Sequence, residues 1–83
     1  MELLYFAWVR EAVGLGQERV DPPAEVRTVA DLIAWLATRS AGHAGAFAEP
    51  ARLRAAIDQK FVPLDAELGL AREVAIFPPV TGG

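Results

Sequence analysis

The sequence contains no cysteine, a single histidine and a single lysine. Each lack removes a class of function. Without cysteine there is neither a disulfide staple nor a thiolate metal site, which suits a reducing cytosol. His43 stands alone in Gly42-His43-Ala44-Gly45 and reads as an exposed loop residue. A metal site needs several ligands, and a nucleophile needs a base beside it; neither can be assembled here. Lys60 and seven scattered arginines leave a net charge of -3, so nucleic acid has no basic cluster to hold it. No apolar run approaches the roughly 18 residues of a membrane span, and Met1-Glu2 opens acidic, unlike a signal peptide. What is present is 53% apolar and 23% charged, the balance of a chain that folds around one core. The expectation is a small cytoplasmic domain without an active site of its own.

Period changes divide the chain. Leu3 to Ala7 is a run of strand formers, apolar on both alternating faces. Trp8 to Val13 puts Val9, Ala12 and Val13 on one helical stripe that Gly14 stops. Gln17 to Val20 reads as a second strand, ended by Asp21-Pro22-Pro23. Thr28 and Asp31 make a variant capping box, and Val29, Leu32, Ile33 and Leu36 follow at i, i+3, i+4 and i+7. This predicts the main helix over about residues 29 to 40. Residues 42 to 52 show no period and read as a loop. Leu53 to Ile57 and Lys60 to Val62 flank a tight Asp58-Gln59 turn. Leu68 and Leu70 are expected to plug the core. Glu73 to Phe77 is the last strand, closed by Pro78-Pro79.

Strand, strand, helix, strand, strand is a two-layer α+β arrangement, one helix covering one face of a mixed sheet. That is the β-grasp (ubiquitin-like) layout, with first and last strands parallel at the sheet centre. It places the domain at residues 1–77 and leaves residues 78–83 as an extended tail. The prolines hold the start of that tail extended, and six residues at 3.1 to 3.4 Å each reach about 20 Å. Gly82-Gly83 has no side chains, so it can thread a channel that any Cβ would block. Terminal Gly-Gly alone arises by chance about once in 200 chains at average glycine usage, too often to carry a function by itself. Behind a β-grasp pattern it suggests a carrier: a terminal carboxylate that is adenylated and then attacked by sulfur becomes a thiocarboxylate. Such a tail is expected to be mobile until docked.

Two stretches carry a resemblance over the whole chain. Leu4-Tyr5-Phe6-Ala7-Trp8-Val9-Arg10-Glu11 and Glu73-Val74-Ala75-Ile76-Phe77-Pro78-Pro79-Val80-Thr81-Gly82-Gly83 resemble the ubiquitin-like sulfur carrier family of molybdopterin synthase small subunits. Ala56-Ile57-Asp58-Gln59 resembles a central Ala-Val-Asn-Gln stretch of that family, with Asp for Asn. The resemblance implies a role in molybdenum cofactor biosynthesis. An activating enzyme would use ATP to adenylate Gly83, and a sulfur donor would convert it to a thiocarboxylate. Pro78, Pro79, Val80, Thr81 and Gly82 would insert into the large synthase subunit. There the sulfur would pass to precursor Z, cyclic pyranopterin monophosphate. It also implies a heterotetramer of two small and two large subunits, no bound cofactor in the small one, and catalytic groups on the large one.

Alternation supplies a docking face. If Leu3, Tyr5, Val74 and Ile76 face the helix, then Leu4, Phe6, Ala75 and Phe77 face away, with Phe61 beside them. Phe6, Phe61 and Phe77 also match family positions that contact the large subunit. Trp8 and Trp35 read as packing residues, Lys60 as a solvated hairpin lysine, and Asp58, Asp65 and Glu67 as turn residues. Arg10 and Glu11 match the family pattern but fit equally a surface ion pair. Two other readings remain open from the residues: a carrier or modifier serving another pathway, such as thiamine or tRNA thiolation, and a plain interaction module with an inert tail.

Overall fold

The computed structural model describes residues 1–79; Val80, Thr81, Gly82 and Gly83, four residues of the expected tail, lie outside the described residues. The elements in chain order are β1 (Glu2–Tyr5), α1 (Ala7–Val13), β2 (Gln17–Arg19), α2 (Val29–Leu36), α3 (Ala41–Ala46), a short 3-10 turn (Pro50–Arg52), β3 (Arg54–Ile57), β4 (Lys60–Val62) and β5 (Glu73–Phe77). They build one five-stranded sheet in the order β2-β1-β5-β3-β4. β1 and β5 run parallel, and the other pairs are antiparallel. This is the mixed α+β sheet that the period changes imply, with the terminal strands adjacent.

The core lies between the sheet and α2. Leu3, Tyr5, Val74 and Ile76 descend from β1 and β5 onto Val29, Leu32, Ile33 and Leu36, all buried. Burying side chains of this size stabilises by roughly 1.5–3 kcal/mol each, which is how a domain without covalent staples holds. The capping box is complete: Thr28 Oγ1 accepts from the Asp31 N–H, and Asp31 Oδ2 accepts from the Thr28 N–H. Two further orphan donors at the start of α2 are met by the long loop before β5, as Val29 N–H bonds Ala66 O and Ala30 N–H bonds Leu64 O. Leu68 N–H in turn bonds Arg27 O, which seats Leu68 in the core.

Several sequence expectations are corrected. The loop expected at 42 to 52 contains α3 and the 3-10 turn, because Ser40 caps the first turn of α3 by accepting from the His43 N–H. Gly42 there passes so close to α1 that a Cβ would meet the Ala12 carbonyl at 2.6 Å. The main helix ends at Leu36, not near residue 40, and passes into turns at Thr38 and Arg39. Leu70 does not plug the core: it is 99% exposed, on a turn closed by Ala71 N–H to Leu68 O. Ala12 is exposed, so the buried stripe of α1 rests on Val9. The Arg10–Glu11 pair does not form; among the described residues the ion pairs are Arg19–Glu2 and His43–Glu18, and Arg10 lies over Gly16.

Candidate functional site

The face of the sheet away from α2 carries the site. Strand register aligns Leu4 of β1 with Ala75 of β5, Ala75 with Ala56 of β3, and Ala56 with Phe61 of β4. The two middle positions are alanines and the outer two are large. Small side chains over the central strands therefore make a floor between taller walls. Phe6 and Phe77 raise the wall where β1 and β5 end. The result is an apolar groove of about 620 Å³, bordered also by Pro78 and Pro79. Phe61 is 80% exposed and Phe6 48%, and the Phe61 and Phe77 rings lie 5.6 Å apart in a tilted arrangement. Aromatic surface left in water at this density marks a site of contact.

Backbone geometry sets the ends of the groove. Ala7 takes a positive φ of 53°, which turns the chain sharply out of β1 and leaves Phe6 on the rim. The β3–β4 turn puts both Asp58 (φ 47°) and Gln59 (φ 72°) in the left-handed region, as a two-residue type I′ hairpin turn requires. Asp58 is held there by its own contacts: Oδ1 accepts from the N–H groups of Arg72 (3.1 Å) and Glu73 (3.0 Å). Its N–H bonds Glu73 O at 2.9 Å. The hairpin is thereby clipped to the start of β5. All three non-glycine residues with positive φ among those described thus border the groove or its far end.

Phe6, Phe61, Phe77, Pro78 and Pro79, singled out from the sequence, border one groove. Val80, Thr81, Gly82 and Gly83 lie outside the described residues. Lys60 is exposed on the hairpin, and Asp65 and Glu67 are exposed in the loop before β5. Trp8 and Trp35 pack half-buried against the core, each under a guanidinium: Arg52 lies 5.0 Å from the Trp8 ring and Arg39 4.9 Å from the Trp35 ring. Among the described residues no three His, Cys, Asp or Glu side chains gather as a metal site would need, and no helix is long and apolar enough to cross a membrane.

His43 is the residue that sequence reasoning misplaced. It is 6% exposed, not a loop histidine in water. Its Nε2 lies 2.6 Å from Glu18 Oε2, its Nδ1 lies 2.7 Å from Ser40 Oγ, and the Tyr5 hydroxyl donates to the same Glu18 oxygen at 2.7 Å. Burial pushes the Tyr5 phenol far above its ordinary value, and the neighbouring Glu18 carboxylate adds to that. Burial also pushes Glu18 upward, but the hydrogen bonds from His43 and Tyr5 outweigh it and hold the carboxyl below its usual range. Ser40 already serves as a helix cap, and the cluster lies on the helix side of the sheet, away from the groove. Its position makes it a structural clasp joining α3, β2 and β1. The Ser40-x-x-His43 spacing of an N-cap was the available signal.

Comparison with known proteins places the chain in a family. Over its full length the chain is 42% identical to the molybdopterin synthase sulfur carrier subunit of Escherichia coli strain K12, covering 99% of that protein. It is 34% identical to the protein of the same name from Haemophilus influenzae, again with 100% and 99% coverage. Among solved structures, a Pyrococcus furiosus protein assigned as molybdopterin converting factor subunit 1 superposes with a TM-score of 0.74, at 31% identity and over 95% of each chain. The family profile matches residues 3–83, which include the strands that build the groove and the Gly82-Gly83 ending: the chain belongs to the ThiS family.

Proposed function

We propose that this chain is the sulfur carrier subunit of a molybdopterin synthase, a non-catalytic small subunit whose Gly83 bears the sulfur and whose aromatic groove seats it on the large subunit. The observation that carries this reading is one of position. Residues 78–83, ending in Gly82-Gly83, continue directly from the central strand β5 and begin at the rim of the groove. Full-length relatives at 42% and 34% identity, both named as sulfur carrier subunits of that synthase, support it.

The chemistry then runs in separate pockets. The Gly83 carboxylate attacks the α-phosphorus of ATP in an activating enzyme, and pyrophosphate leaves. Hydrosulfide, or a persulfide followed by thiol cleavage of the resulting acyl disulfide, displaces AMP and leaves a thiocarboxylate. Inside the large subunit the terminal sulfur attacks a side-chain carbon of precursor Z, forming a C–S bond as that carbon's C–O bond breaks and its oxygen leaves as water or with the phosphate. Water at the Gly83 carbonyl then releases the sulfur and restores the carboxylate, and two rounds complete the dithiolene. An unhindered Gly-Gly end suits both the attack at the carbonyl and entry into a narrow channel. Exposed Phe61 and Phe6 are fit anchors for a partner surface, since buried aromatics dominate such contacts. Two small subunits on a dimer of large ones is the assembly expected, working in the cytoplasm.

The test is intact-mass spectrometry after incubation with the activating enzyme, ATP and a sulfur donor. A mass gain equal to exchange of one oxygen for one sulfur, absent when Gly83 is deleted, is the expected result. An unchanged mass under conditions that charge the Escherichia coli carrier would refute sulfur carriage.

A further inference from the structure

Gln59 stands out at the end of the groove remote from the tail. Both central positions of its turn need positive φ, and glycine is the residue that the second position favours most. Asp58 accounts for its own geometry by accepting two N–H groups from the start of β5. Gln59 does not: its side chain is exposed, borders the groove, and its amide has no hydrogen-bond partner among the described residues. The fold therefore keeps a side chain in a left-handed conformation that a glycine would adopt freely. A conformational cost retained beside a contact surface points to a role in that contact.

Resting on the reading that the groove seats the large subunit, we propose that Gln59 is its polar anchor, a specificity-determining residue whose amide hydrogen-bonds the backbone of the docked subunit. The remainder of the groove supports this assignment. Apart from Glu73 beside the turn, its floor and walls are apolar, from Leu4, Ala56, Ala75 and the three phenylalanines, and apolar contact is non-directional. A partner held by those groups alone could slide along the strands. An amide offers both a donor and an acceptor at a fixed point, and truncating such a contact leaves the partner's group unpaired. The position also sets Gln59 at the opposite end of the groove from Pro78. β5 runs four residues from Glu73, beside the turn, to Phe77, or about 13 Å at roughly 3.3 Å per residue.

The test is Gln59→Gly, with binding to the purified large subunit read by calorimetry and stability by thermal unfolding. The expected result is a Kd raised about tenfold or more and an unfolding temperature equal to or above that of the parent. A Kd within twofold of the parent overturns the assignment, as does a lowered unfolding temperature, which would show that Gln59 is retained for the turn. Phe77→Asp serves as the companion. If it abolishes binding while Gln59→Gly does not weaken it, the anchor is wrong and the docking face stands. If neither weakens binding, the docking face itself is wrong.

Discussion

Removing the Glu18 carboxylate should cost this domain a large part of its stability without touching the groove. Glu18 Oε2 is the shared acceptor for Tyr5 Oη and His43 Nε2. The side chains of His43 and Glu18 are only 8% and 13% exposed, and Tyr5 is 1% exposed. Glu18→Ala therefore orphans two buried polar groups, each at about 1–3 kcal/mol. Some water can reach the space left behind, so the lower half of that range applies and the sum is about 2–4 kcal/mol. A domain of this length has on the order of 4–12 kcal/mol in total, from roughly 0.05–0.15 kcal/mol per residue. At about 4–8 °C per kcal/mol, the unfolding temperature should fall by roughly 8–32 °C. Thermal and urea unfolding followed by circular dichroism read this directly.

A double-mutant cycle gives the sharper test. Tyr5→Phe removes one of the two stranded donors, so Glu18→Ala should cost less in that background than in the parent. The clasp should also shape the pH profile. Because Glu18 holds its proton less tightly folded than unfolded, its contribution is full above the ordinary value of 4.5 and is lost as pH falls toward the lower folded value. Tyr5 acts on the other side: folding keeps its phenol protonated, so stability present below 10.0 is lost as pH rises beyond it. Glu18→Ala should flatten the acid arm and Tyr5→Phe the alkaline arm. A loss below about 0.5 kcal/mol for Glu18→Ala, or strictly additive costs in the cycle, would refute the clasp.

Other consequences are simpler. Thr28→Ala breaks the capping box on α2 and should lower stability by about 1 kcal/mol, measured by urea unfolding. Asp58→Ala frees the Arg72 and Glu73 N–H groups and leaves a non-glycine residue at φ 47° without its side-chain contacts. It should cost about 1 kcal/mol and speed amide exchange at those two positions first. Phe61→Ser, at an 80% exposed position, should change stability by less than about 0.5 kcal/mol yet weaken large-subunit binding by about tenfold or more in calorimetry.

Which features were legible in the sequence follows from how local their causes are. The capping box, the stripe of α2 and the Asp58-Gln59 turn each depend on residues within a few positions of one another, and all three form where expected. The outward face of Leu4, Phe6, Ala75 and Phe77 was readable because strand alternation is strict once the inward set is known. The groove itself was not: its floor depends on Ala56 aligning with Ala75, a register between distant strands. His43 failed for the same reason. Six residues of Ala, Gly and His have too little periodicity to announce a helix, and the partner that buries His43 lies 25 residues away at Glu18. Leu70 failed in the opposite sense, since the turn from Leu68 to Ala71 admits one leucine to the core and turns the other out.

The placement of β5 ties the two halves of the proposed function together. Val74 and Ile76 go down into the core while Glu73, Ala75 and Phe77 face the groove, so one five-residue strand is both central support and part of the groove. A register slip of one residue would exchange the two sets, burying Glu73 and Phe77 and exposing Val74 and Ile76. The cost of that exchange makes the register of the groove face as firm as the core itself. Pairing on both sides, parallel to β1 and antiparallel to β3, removes the remaining freedom of the strand. The chain leaves this strand at Phe77 and passes straight into Pro78-Pro79, whose fixed φ limits the directions it can take. The most constrained strand of the sheet thus sets the point from which Val80 to Gly83 must start. A carrier whose partner supplies the catalytic groups needs that starting point fixed relative to the partner, and a tail springing from an edge strand or a loop would not supply it.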